Sequence, residues 1–228
     1  MDEINRIKEN LVNIRKNIEE ACKRSRRSAE SVRLLIATKY ADIPQVKNLY
    51  NLGLREFGEN RAEELLLKSE KIENDAVWHF IGHLQTNKIK KVIPVAEYIH
   101  SIDSIKTISA IDSYCKKINK IQKVLVEINL SGEASKYGLM ANDVNIFFKD
   151  ALKYKNIDIK GLMTMAPLTE DSEAIRKVFA NLRIIKENLE AENRNLNLKE
   201  LSMGMSNDYI IAIEEGSTII RLGSAVFR

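Results

Sequence analysis

The chain has 228 residues, of which 44% are hydrophobic and 30% are charged, and its formal net charge is +4. These values are typical of a globular protein, and the small net charge argues against a dedicated nucleic-acid-binding protein, which usually has a concentrated basic face. No secretory signal pattern and no long apolar run is present, so we expect a cytoplasmic protein without a membrane partner. Cys22 and Cys115 are too few for a disulfide framework or a zinc site.

The first predicted element is an amphipathic helix within residues 1–27. Its apolar residues recur at every third or fourth position and therefore form one stripe on a helix. They are Ile4, Ile7, Leu11, Ile14 and Ile18. The basic run "KRSRR" at 23–27 follows, where cations complement the negative end of a helix dipole. We favour this role over contact with nucleic acid, and we expect the helix to pack on the rest of the chain as a lid or a buttress.

The rest of the chain alternates short apolar or β-branched runs with helical stretches. Such alternation predicts parallel strands joined by right-handed helical crossovers. The clearest helical stretches are at 46–53, 61–72, 105–118 and 171–192. The predicted strands are at 33–38, 54–58, 77–82, 97–102, 123–130, 157–163, 199–204 and 217–223.

Eight strands with a helix in each gap predict a closed (β/α)8 TIM barrel, an α/β fold that needs about 200 residues at its smallest. An open doubly wound sheet is the alternative, but no G-x-G-x-x-G motif follows the first predicted strand. No linker rich in Pro, Gly or Ser divides the chain. We therefore predict a single domain over residues 1–228, with the N-terminal helix (1–27) added to the barrel.

Lys39 lies at the end of the first predicted strand, directly after "RLLIAT" at 33–38. Lysine resists the loss of its water, so a lysine after a buried strand either projects into solvent or is held there for chemistry. In TIM barrels the active site lies at the C-terminal ends of the strands. This position makes Lys39 the first candidate site residue.

The ends of the seventh and eighth predicted strands form a candidate phosphate site, because barrels of this type frequently bind phosphate with these two loops. "SMGMS" at 202–206 offers small residues and a hydroxyl, and we expect Ser206 to N-cap a helix over 207–216. "LGS" at 222–224 contains Gly223, whose missing side chain lets backbone N–H groups approach an anion. The alternative is that the glycines of these loops serve only as ordinary turn residues.

Lys39, Arg221 and the two loops together match the needs of one cofactor, pyridoxal 5′-phosphate (PLP). PLP forms a Schiff base with a lysine, contains a phosphate, and has a pyridine nitrogen that an Asp or Arg contacts. Arg221 lies in the eighth predicted strand, just before Gly223. A sugar-phosphate enzyme that uses Lys39 as its Schiff-base group is the alternative among barrel proteins.

Specific motifs extend this pattern along the whole chain. The most specific are "WHFIGHLQTNK" and "LSMGMSND". The matching stretches are at 37–39, 57–64, 78–88, 128–138, 161–167, 201–208 and 221–227. With these stretches the sequence resembles the pyridoxal phosphate homeostasis protein family, whose barrel is similar to the N-terminal domain of alanine racemase. The resemblance implies a protein that carries or buffers PLP for vitamin B6 homeostasis.

The resemblance also implies a set of residues that contact PLP: Lys39, Asn60, Met163, Ser206, Arg221, Gly223 and Ser224. Lys39 would hold the cofactor covalently and Arg221 would contact its pyridine nitrogen, while Asn60 and Met163 would lie near the ring. The remaining three residues would hold the phosphate. The chain departs from the family pattern at Tyr40, where threonine is usual, and this leaves the shape of the loop after the first strand open.

No metal site is predicted. His79 lies within a strand between Trp78 and Phe80, so we expect a hydrogen-bonded, partly buried ring on the opposite face from these two side chains. His83 is separated from His79 by a strand end and a turn, so the two do not form a helical metal pair. No role is assigned to the loop residue Lys136.

Two functions of different classes remain, a PLP carrier without substantial turnover and a PLP-dependent amino-acid racemase. Racemisation needs an acid and a base on opposite faces of the substrate α-carbon. In alanine racemase a tyrosine from a second domain serves one face, and we expect no such domain here, although Tyr137 and Tyr209 remain alternatives. The charged Arg221 guanidinium disfavours protonation of the pyridine nitrogen, which makes the ring a poorer electron sink. We therefore favour a monomeric carrier whose partners are PLP, PLP-dependent apoenzymes and amino acids.

Overall fold

The structure is a computed structural model that describes residues 3–130 and 137–228. Its strands are β1 (Arg33–Ala37), β2 (Glu56–Glu59), β3 (Val77–Phe80), β4 (Tyr98–Ile102), β5 (Gln122–Asn129), β6 (Leu139–Met140), β7 (Ile157–Met163), β8 (Glu200–Ser202) and β9 (Ile219–Leu222). All of them except β6 form one parallel barrel, in which β1 lies between β2 and β9 and pairing of β4 with β5 closes the circle. The predicted (β/α)8 TIM barrel is confirmed.

The strand side chains point alternately into the barrel and outward against the helices, as the two-residue period of a strand requires. In β1, Leu35 belongs to a small apolar cluster inside the barrel with Leu125 and Met163. Its neighbour Ile36 belongs to the larger core between the strands and the helices. The same alternation decides which side chains reach the centre of the barrel at its C-terminal end.

The helices lie outside the strands. They are α1 (Glu3–Arg24), α2 (Ile43–Asn51), α3 (Ala62–Ser69), α4 (Ile89–Val92), α5 (Ile105–Ile118), α6 (Val144–Ala151), α7 (Ser172–Glu192), α8 (Tyr209–Glu214) and α9 (Ser224–Phe227). Their ends follow local chemistry, and α2 is an example. Asp42 accepts the Gln45 backbone N–H at 2.8 Å, and the Gln45 side chain accepts the Asp42 N–H at 2.9 Å, which is a complete capping box.

The N-terminal helix α1 buttresses the end of the chain that contains α8 and α9. The Asn10 side-chain amide donates to the carbonyls of Val226 at 3.0 Å and Arg228 at 2.8 Å. At its other end, Arg24 forms a 2.7 Å ion pair with Glu214 of α8. Its apolar stripe is buried at Ile7, Leu11, Ile14 and Ile18. Each such aliphatic side chain contributes roughly 1.5–3 kcal/mol of transfer free energy, so packing rather than helix propensity holds α1 in place.

Differences from the sequence-based prediction are confined to element ends and short elements. The two-residue strand β6 was not expected, and it pairs with the end of β5 at Ile128 and Asn129. The basic run at 23–27, which begins in the last turn of α1, contributes to the fold, because Arg27 donates to the carbonyls of Ile213 and Ser217, both at 2.8 Å. Within residues 3–130 and 137–228, no helix is long and apolar enough to span a membrane.

Candidate functional site

A cavity of about 250 Å³ opens at the C-terminal ends of β1, β7, β8 and β9. Its walls come from the loops after these strands, including residues 166–169 after β7. The predicted cofactor residues that line it are Lys39, Ser206, Arg221, Gly223 and Ser224. The structure therefore brings together the lysine, the arginine and both loops that the sequence singled out.

Lys39 reaches the cavity because it continues the inward-facing positions of β1. Ala37 and Lys39 both line the cavity, while the intervening Thr38 is fully buried on the other side of the strand. The Lys39 side chain is exposed, and its Nζ lies 4.9 Å from the centre of the Tyr40 ring. The amine thus stands at the cavity mouth, in contact with solvent.

A buried ion pair behind β1 and β2 fixes the strand end that leads to Lys39. Lys68 Nζ on α3 donates to the Thr38 carbonyl at 2.9 Å and to Glu59 Oε1 at 2.7 Å, and the Thr38 hydroxyl donates to the same carboxylate oxygen at 2.5 Å. The side chains of Lys68 and Glu59 are 3% and 0% exposed. Since Thr38 precedes Lys39 and Glu59 precedes Asn60, one ion pair anchors two segments that the sequence linked to the cofactor.

Arg221 is held at the bottom of the cavity by three hydrogen bonds. Its Nη1 donates to the Ser202 carbonyl at 2.7 Å and to the Ser202 hydroxyl at 2.6 Å, and its Nη2 donates to the Thr164 carbonyl at 3.0 Å. Burial lowers the pKa of Arg221 to about 10, against the opposing effect of Asp208 and Glu127. The guanidinium therefore remains charged near neutral pH although it is almost fully buried.

The loops after β8 and β9 meet at Ser206, although the predicted N-cap role of Ser206 is wrong. The helix α8 begins only at Tyr209, because the Asp208 carboxylate accepts the Met205 N–H at 2.5 Å and folds the preceding residues into a turn. Ser206 Oγ instead accepts the Ala225 N–H of α9 at 3.1 Å. The hydroxyl thus joins the two loops at the cavity wall.

A glycine is required at the start of the first of these loops. Gly204 has a φ of +96°, and a Cβ at this position would lie 2.6 Å from the Ala212 Cβ and 3.0 Å from the Tyr209 Cα. Both the backbone conformation and the close approach of α8 therefore exclude a side chain at this position.

Two of the predicted cofactor residues do not line the cavity. Asn60 follows β2 as an exposed residue, with its backbone carbonyl close to Gly82. Met163 is 2% exposed and packs in the apolar cluster inside the barrel with Leu35 and Leu125. Their predicted contacts with the ring stay predictions, and Lys136 lies outside the described residues.

The sequence-based prediction missed Glu127, a carboxyl at the C-terminal end of β5. It is 4% exposed, and burial, reinforced by the charge of Asp103, raises its pKa to about 7 despite the opposing charge of Arg221. The signal available in the sequence is an acidic residue at an inward-facing position of an otherwise apolar strand, "VLVEIN" at 124–129. Such a group titrates in the physiological range and faces the charge of Arg221.

We expect the Glu127→Gln variant to lose a pH dependence of stability that the parent protein has. A raised pKa in the folded state means that stability is full below the unfolded value of 4.5 and declines as the pH rises through about 7. Above that pH the variant should therefore be more stable than the parent, by at most about 3.5 kcal/mol at about 1.4 kcal/mol per pKa unit. Urea unfolding of both PLP-free proteins, from about pH 4.5 to pH 8, measures the difference. Parallel curves over this range would contradict the raised pKa.

The histidines lie on two levels of the barrel. His79 is fully buried inside it, with Nδ1 2.9 Å from Nε2 of His100, so the expected hydrogen-bonded ring is confirmed and is more deeply buried than predicted. His83 lies at the C-terminal rim, where its ring stacks on Tyr137 with a centroid distance of 4.0 Å. Among the described residues, no group of His, Cys, Asp and Glu side chains has the arrangement of a metal site.

The chain is similar to known proteins over almost its whole length. Residues 10–228 match the family described as "Alanine racemase, N-terminal domain". A protein of Aquifex aeolicus (strain VF5) named "Pyridoxal phosphate homeostasis protein" is 39% identical over 220 residues, which are 96% of this chain and 96% of that protein. A protein of Synechocystis sp. with the same name is 37% identical over 199 residues, or 86% of this chain and 91% of the other.

Solved structures extend the comparison to the fold. PipY of Synechococcus elongatus PCC7942, described with PLP bound, has a TM-score of 0.87 and 29% identity, covering 97% of this chain and 100% of PipY. An alanine racemase of Clostridium difficile 630 has a TM-score of 0.76 at 16% identity, covering 97% of this chain and 56% of the racemase, so it shows the fold alone. The chain therefore belongs to the pyridoxal phosphate homeostasis proteins, a family with the fold of the alanine racemase N-terminal domain.

Proposed function

We propose that this protein binds PLP in the cavity at the C-terminal end of the barrel, and holds and releases it without substantial catalytic turnover. The observation that carries the proposal is the convergence of Lys39, Arg221 and the loops after β8 and β9 on one cavity of about 250 Å³. Each of the three parts suits a different group of the cofactor. In this function the protein supplies PLP to PLP-dependent apoenzymes or exchanges it with amino acids.

The residues present fit the cofactor. When bound, PLP supplies an aldehyde that forms a Schiff base with a lysine amine, and the exposed Lys39 Nζ is the amine at the mouth of this cavity. Arg221 donates both Nη1 hydrogens to Ser202 and one Nη2 hydrogen to Thr164. Within the described chain this leaves the Nε hydrogen and the second Nη2 hydrogen for an acceptor in the cavity, such as a pyridine nitrogen.

The phosphate fits the loops after β8 and β9. Neither "SMGMS" nor "LGS" contains a lysine or arginine, so the binding groups are the Ser206 hydroxyl, the Ser224 side chain and backbone N–H groups around Gly223. Gly223 has no side chain, so its backbone at this wall is open to the approach of a ligand. A Cβ at this position would also lie 3.2 Å from the Ala37 carbonyl oxygen, which is a crowded contact with the end of β1.

The lining of the cavity supports binding without turnover. The titratable side chains that line the described cavity are Lys39, Asp208 and Arg221. Asp208 is committed to the Met205 N–H, so this lining offers no evident acid opposite Lys39. A charged guanidinium that donates to the pyridine nitrogen disfavours its protonation and weakens the ring as an electron sink. Both features disfavour racemisation and most other PLP reactions.

The relatives support the same function. Those of Aquifex aeolicus and Synechocystis sp. have the name "Pyridoxal phosphate homeostasis protein", and PipY is described with PLP bound. The likeness to alanine racemase, at 16% identity, extends to the barrel fold. An amino-acid racemase, the alternative from the sequence analysis, is the second candidate function.

One experiment separates the two functions. The purified protein is loaded with PLP and desalted, and its absorbance spectrum is compared with that of free PLP. We expect a retained chromophore with a shifted spectrum. Chiral chromatography then follows L-alanine, L-serine and other amino acids incubated with the loaded protein. Failure to retain PLP would overturn the binding proposal, whereas turnover in the ordinary enzyme range of about 1 per second or more would favour the racemase.

We expect the Gly223→Val variant to lose retention of PLP while the fold is kept. A β-branched side chain would crowd the cavity wall and restrict the backbone where the phosphate is held. The expected loss of affinity is at least about 100-fold, or about 3 kcal/mol, and Gly223→Ala should fall between this variant and the parent protein. Equilibrium dialysis measures the affinities, and circular dichroism checks the fold.

Pyridoxal, which lacks the phosphate, is the matched ligand for the same experiment. The parent protein should bind pyridoxal far more weakly than PLP, and Gly223→Val should remove most of the difference. Equal affinity of the parent protein for the two ligands, or normal PLP affinity in a folded Gly223→Val variant, would show that the phosphate lies elsewhere.

A further inference from the structure

A chain of polar groups runs through the centre of the barrel below the cavity. His79 Nε2 lies 3.1 Å from Glu56 Oε2, and His79 Nδ1 lies 2.9 Å from His100 Nε2. His100 Nδ1 lies 2.9 Å from the Ser202 hydroxyl, which accepts Nη1 of Arg221 at 2.6 Å. The groups come from different strands of the barrel, and the chain ends at the arginine on the floor of the cavity.

The side chains in the middle of this chain are sealed from solvent. His79, His100 and Ser202 are all 0% exposed, and Arg221 is 6% exposed. Burial is the largest cause that lowers the pKa of His79, and it lowers the pKa of His100 well below the usual range. Both rings are therefore neutral near neutral pH, and each has one N–H donor and one acceptor nitrogen.

The first group of the chain is an ionised carboxylate. Arg33 donates to both Glu56 oxygens at 2.8 Å, and the pKa of Glu56 is lowered to about 2 by His79 and Arg33 although burial opposes this. The carboxylate is consequently an acceptor only. Its 3.1 Å contact with His79 Nε2 is within hydrogen-bonding distance but departs from ideal hydrogen-bond geometry. A protonated Nε2 is the form that suits a neighbouring anion, since an unprotonated one would face it with a lone pair.

The position of the proton on His79 determines which group donates and which accepts in each of the following hydrogen bonds. With Nε2 protonated, the neutral His79 accepts at Nδ1, so His100 Nε2 donates to it. The neutral His100 then accepts at Nδ1, so the Ser202 hydroxyl donates its hydrogen to that ring. The Ser202 oxygen is left as an acceptor, and it accepts from Arg221. Donation therefore runs one way, from Arg221 to His79, and the protonated Nε2 of His79 faces the Glu56 carboxylate at 3.1 Å.

We infer that Glu56, His79, His100 and Ser202 are positioning residues that fix the orientation of the Arg221 guanidinium, so that its remaining N–H groups face the cavity. This chain of polar groups holds Nη1 of Arg221 on Ser202, and the Thr164 carbonyl at 3.0 Å holds Nη2. Rotation of the guanidinium would break these hydrogen bonds at an almost fully buried position. For PLP binding, this inference rests on the function proposed above. It states that these four residues align the Arg221 guanidinium for its contact with the pyridine nitrogen.

The first test uses the cofactor-free protein. In ¹⁵N NMR of the histidine-labelled parent protein, we expect both buried rings to be neutral with the proton on Nε2. In arginine-labelled protein, we expect separate Nη resonances for Arg221, assigned by their loss in Arg221→Lys, because the guanidinium does not rotate freely. In Ser202→Ala these resonances should exchange faster than in the parent protein, because one of the three hydrogen bonds of the guanidinium is lost while the bonds to the Ser202 and Thr164 carbonyls remain. A proton on Nδ1 of either ring, or a freely rotating Arg221 in the parent protein, would overturn the inference.

The second test uses PLP and a graded set of variants. Ser202→Ala and His100→Leu break the chain, while His100→Asn keeps an acceptor towards Ser202. Leu125→Val is the matched control, because Leu125 is fully buried at a neighbouring position inside the barrel and belongs to the apolar cluster. We expect about a 10-fold loss of PLP affinity and a shifted absorbance maximum in Ser202→Ala and His100→Leu, partial recovery in His100→Asn, and less than a threefold effect in Leu125→Val.

The outcomes separate this inference from the proposed function. If the parent protein retains PLP and Ser202→Ala matches Leu125→Val in affinity and spectrum, the inference is wrong and the binding function stands. If the parent protein retains no PLP, the proposed function fails, and the NMR of the cofactor-free protein alone decides whether the chain orients Arg221. If Ser202→Ala does not fold, the comparison of His100→Leu with His100→Asn decides the effect on PLP.

Discussion

Replacement of Lys39 by alanine should abolish covalent attachment of PLP to the protein. The amine at the end of β1 stands at the mouth of the cavity lined by Arg221 and by the loops after β8 and β9. Borohydride reduction of the PLP-loaded parent protein should fix a pyridoxyl group on the peptide that contains Lys39, and peptide mass mapping locates it. The Lys39→Ala variant should give no label there, and the spectrum of its bound PLP should resemble that of free PLP.

Tyr40→Ala is the matched control for this prediction. Tyr40 is 88% exposed, and its ring centre lies 4.9 Å from Lys39 Nζ, so its removal disturbs the surroundings of the amine while the amine remains. The control should be labelled like the parent protein. A label found mainly on another lysine, or a Lys39→Ala variant with an unchanged spectrum, would contradict the assignment of Lys39.

Replacement of Lys68 by methionine should cause the largest loss of folding stability. The substitution leaves Glu59, which is 0% exposed, as a buried carboxylate without its cation, and it removes the hydrogen bond to the Thr38 carbonyl. Breaking a buried ion pair from one side costs about 3–5 kcal/mol. Equilibrium unfolding in urea measures the change, and near-ultraviolet circular dichroism shows whether the barrel still packs.

Two further variants make the reason for this loss testable. Lys47→Met changes an exposed lysine on α2 and should alter the free energy of unfolding by less than about 0.5 kcal/mol. Adding Glu59→Gln to Lys68→Met removes the isolated charge and should recover part of the stability. A Lys68→Met variant within about 1 kcal/mol of the parent protein would show that the pair does not hold the ends of β1 and β2.

The strands of the barrel were predictable because each is a short apolar run followed by a helical pattern. The core of each predicted strand is present, and only the ends differ. The site was partly predictable for a related reason. In a parallel barrel all strand ends meet on one face, so Lys39 and Gly223 could be placed together from the order of the elements alone.

The remaining features depend on three-dimensional contacts that the sequence pattern does not contain. The turn at 205–208 forms because the Asp208 carboxylate bonds back to Met205, and this removed Ser206 from the N-cap position. The ion pair of Glu59 and Lys68 was not predicted, because the sequence pattern gives only a helical stretch at 61–72 and does not show which of its side chains meet the strand ends. Lys68 on this helix points towards the barrel and donates to the Glu59 carboxylate at the end of β2.

The docking of α1 on α8 and α9 has a consequence for the time course of synthesis. The Asn10 side chain binds the carbonyl of Val226, which lies 216 residues further along the chain. At a ribosomal rate of about 5–20 residues per second, roughly 10–40 s separate the appearance of the two residues. During that interval the apolar stripe of α1 lacks its final partner, so α1 docks long after it has been made. The loops that meet at Ser206 consequently gain their outer support only after α9 has been made.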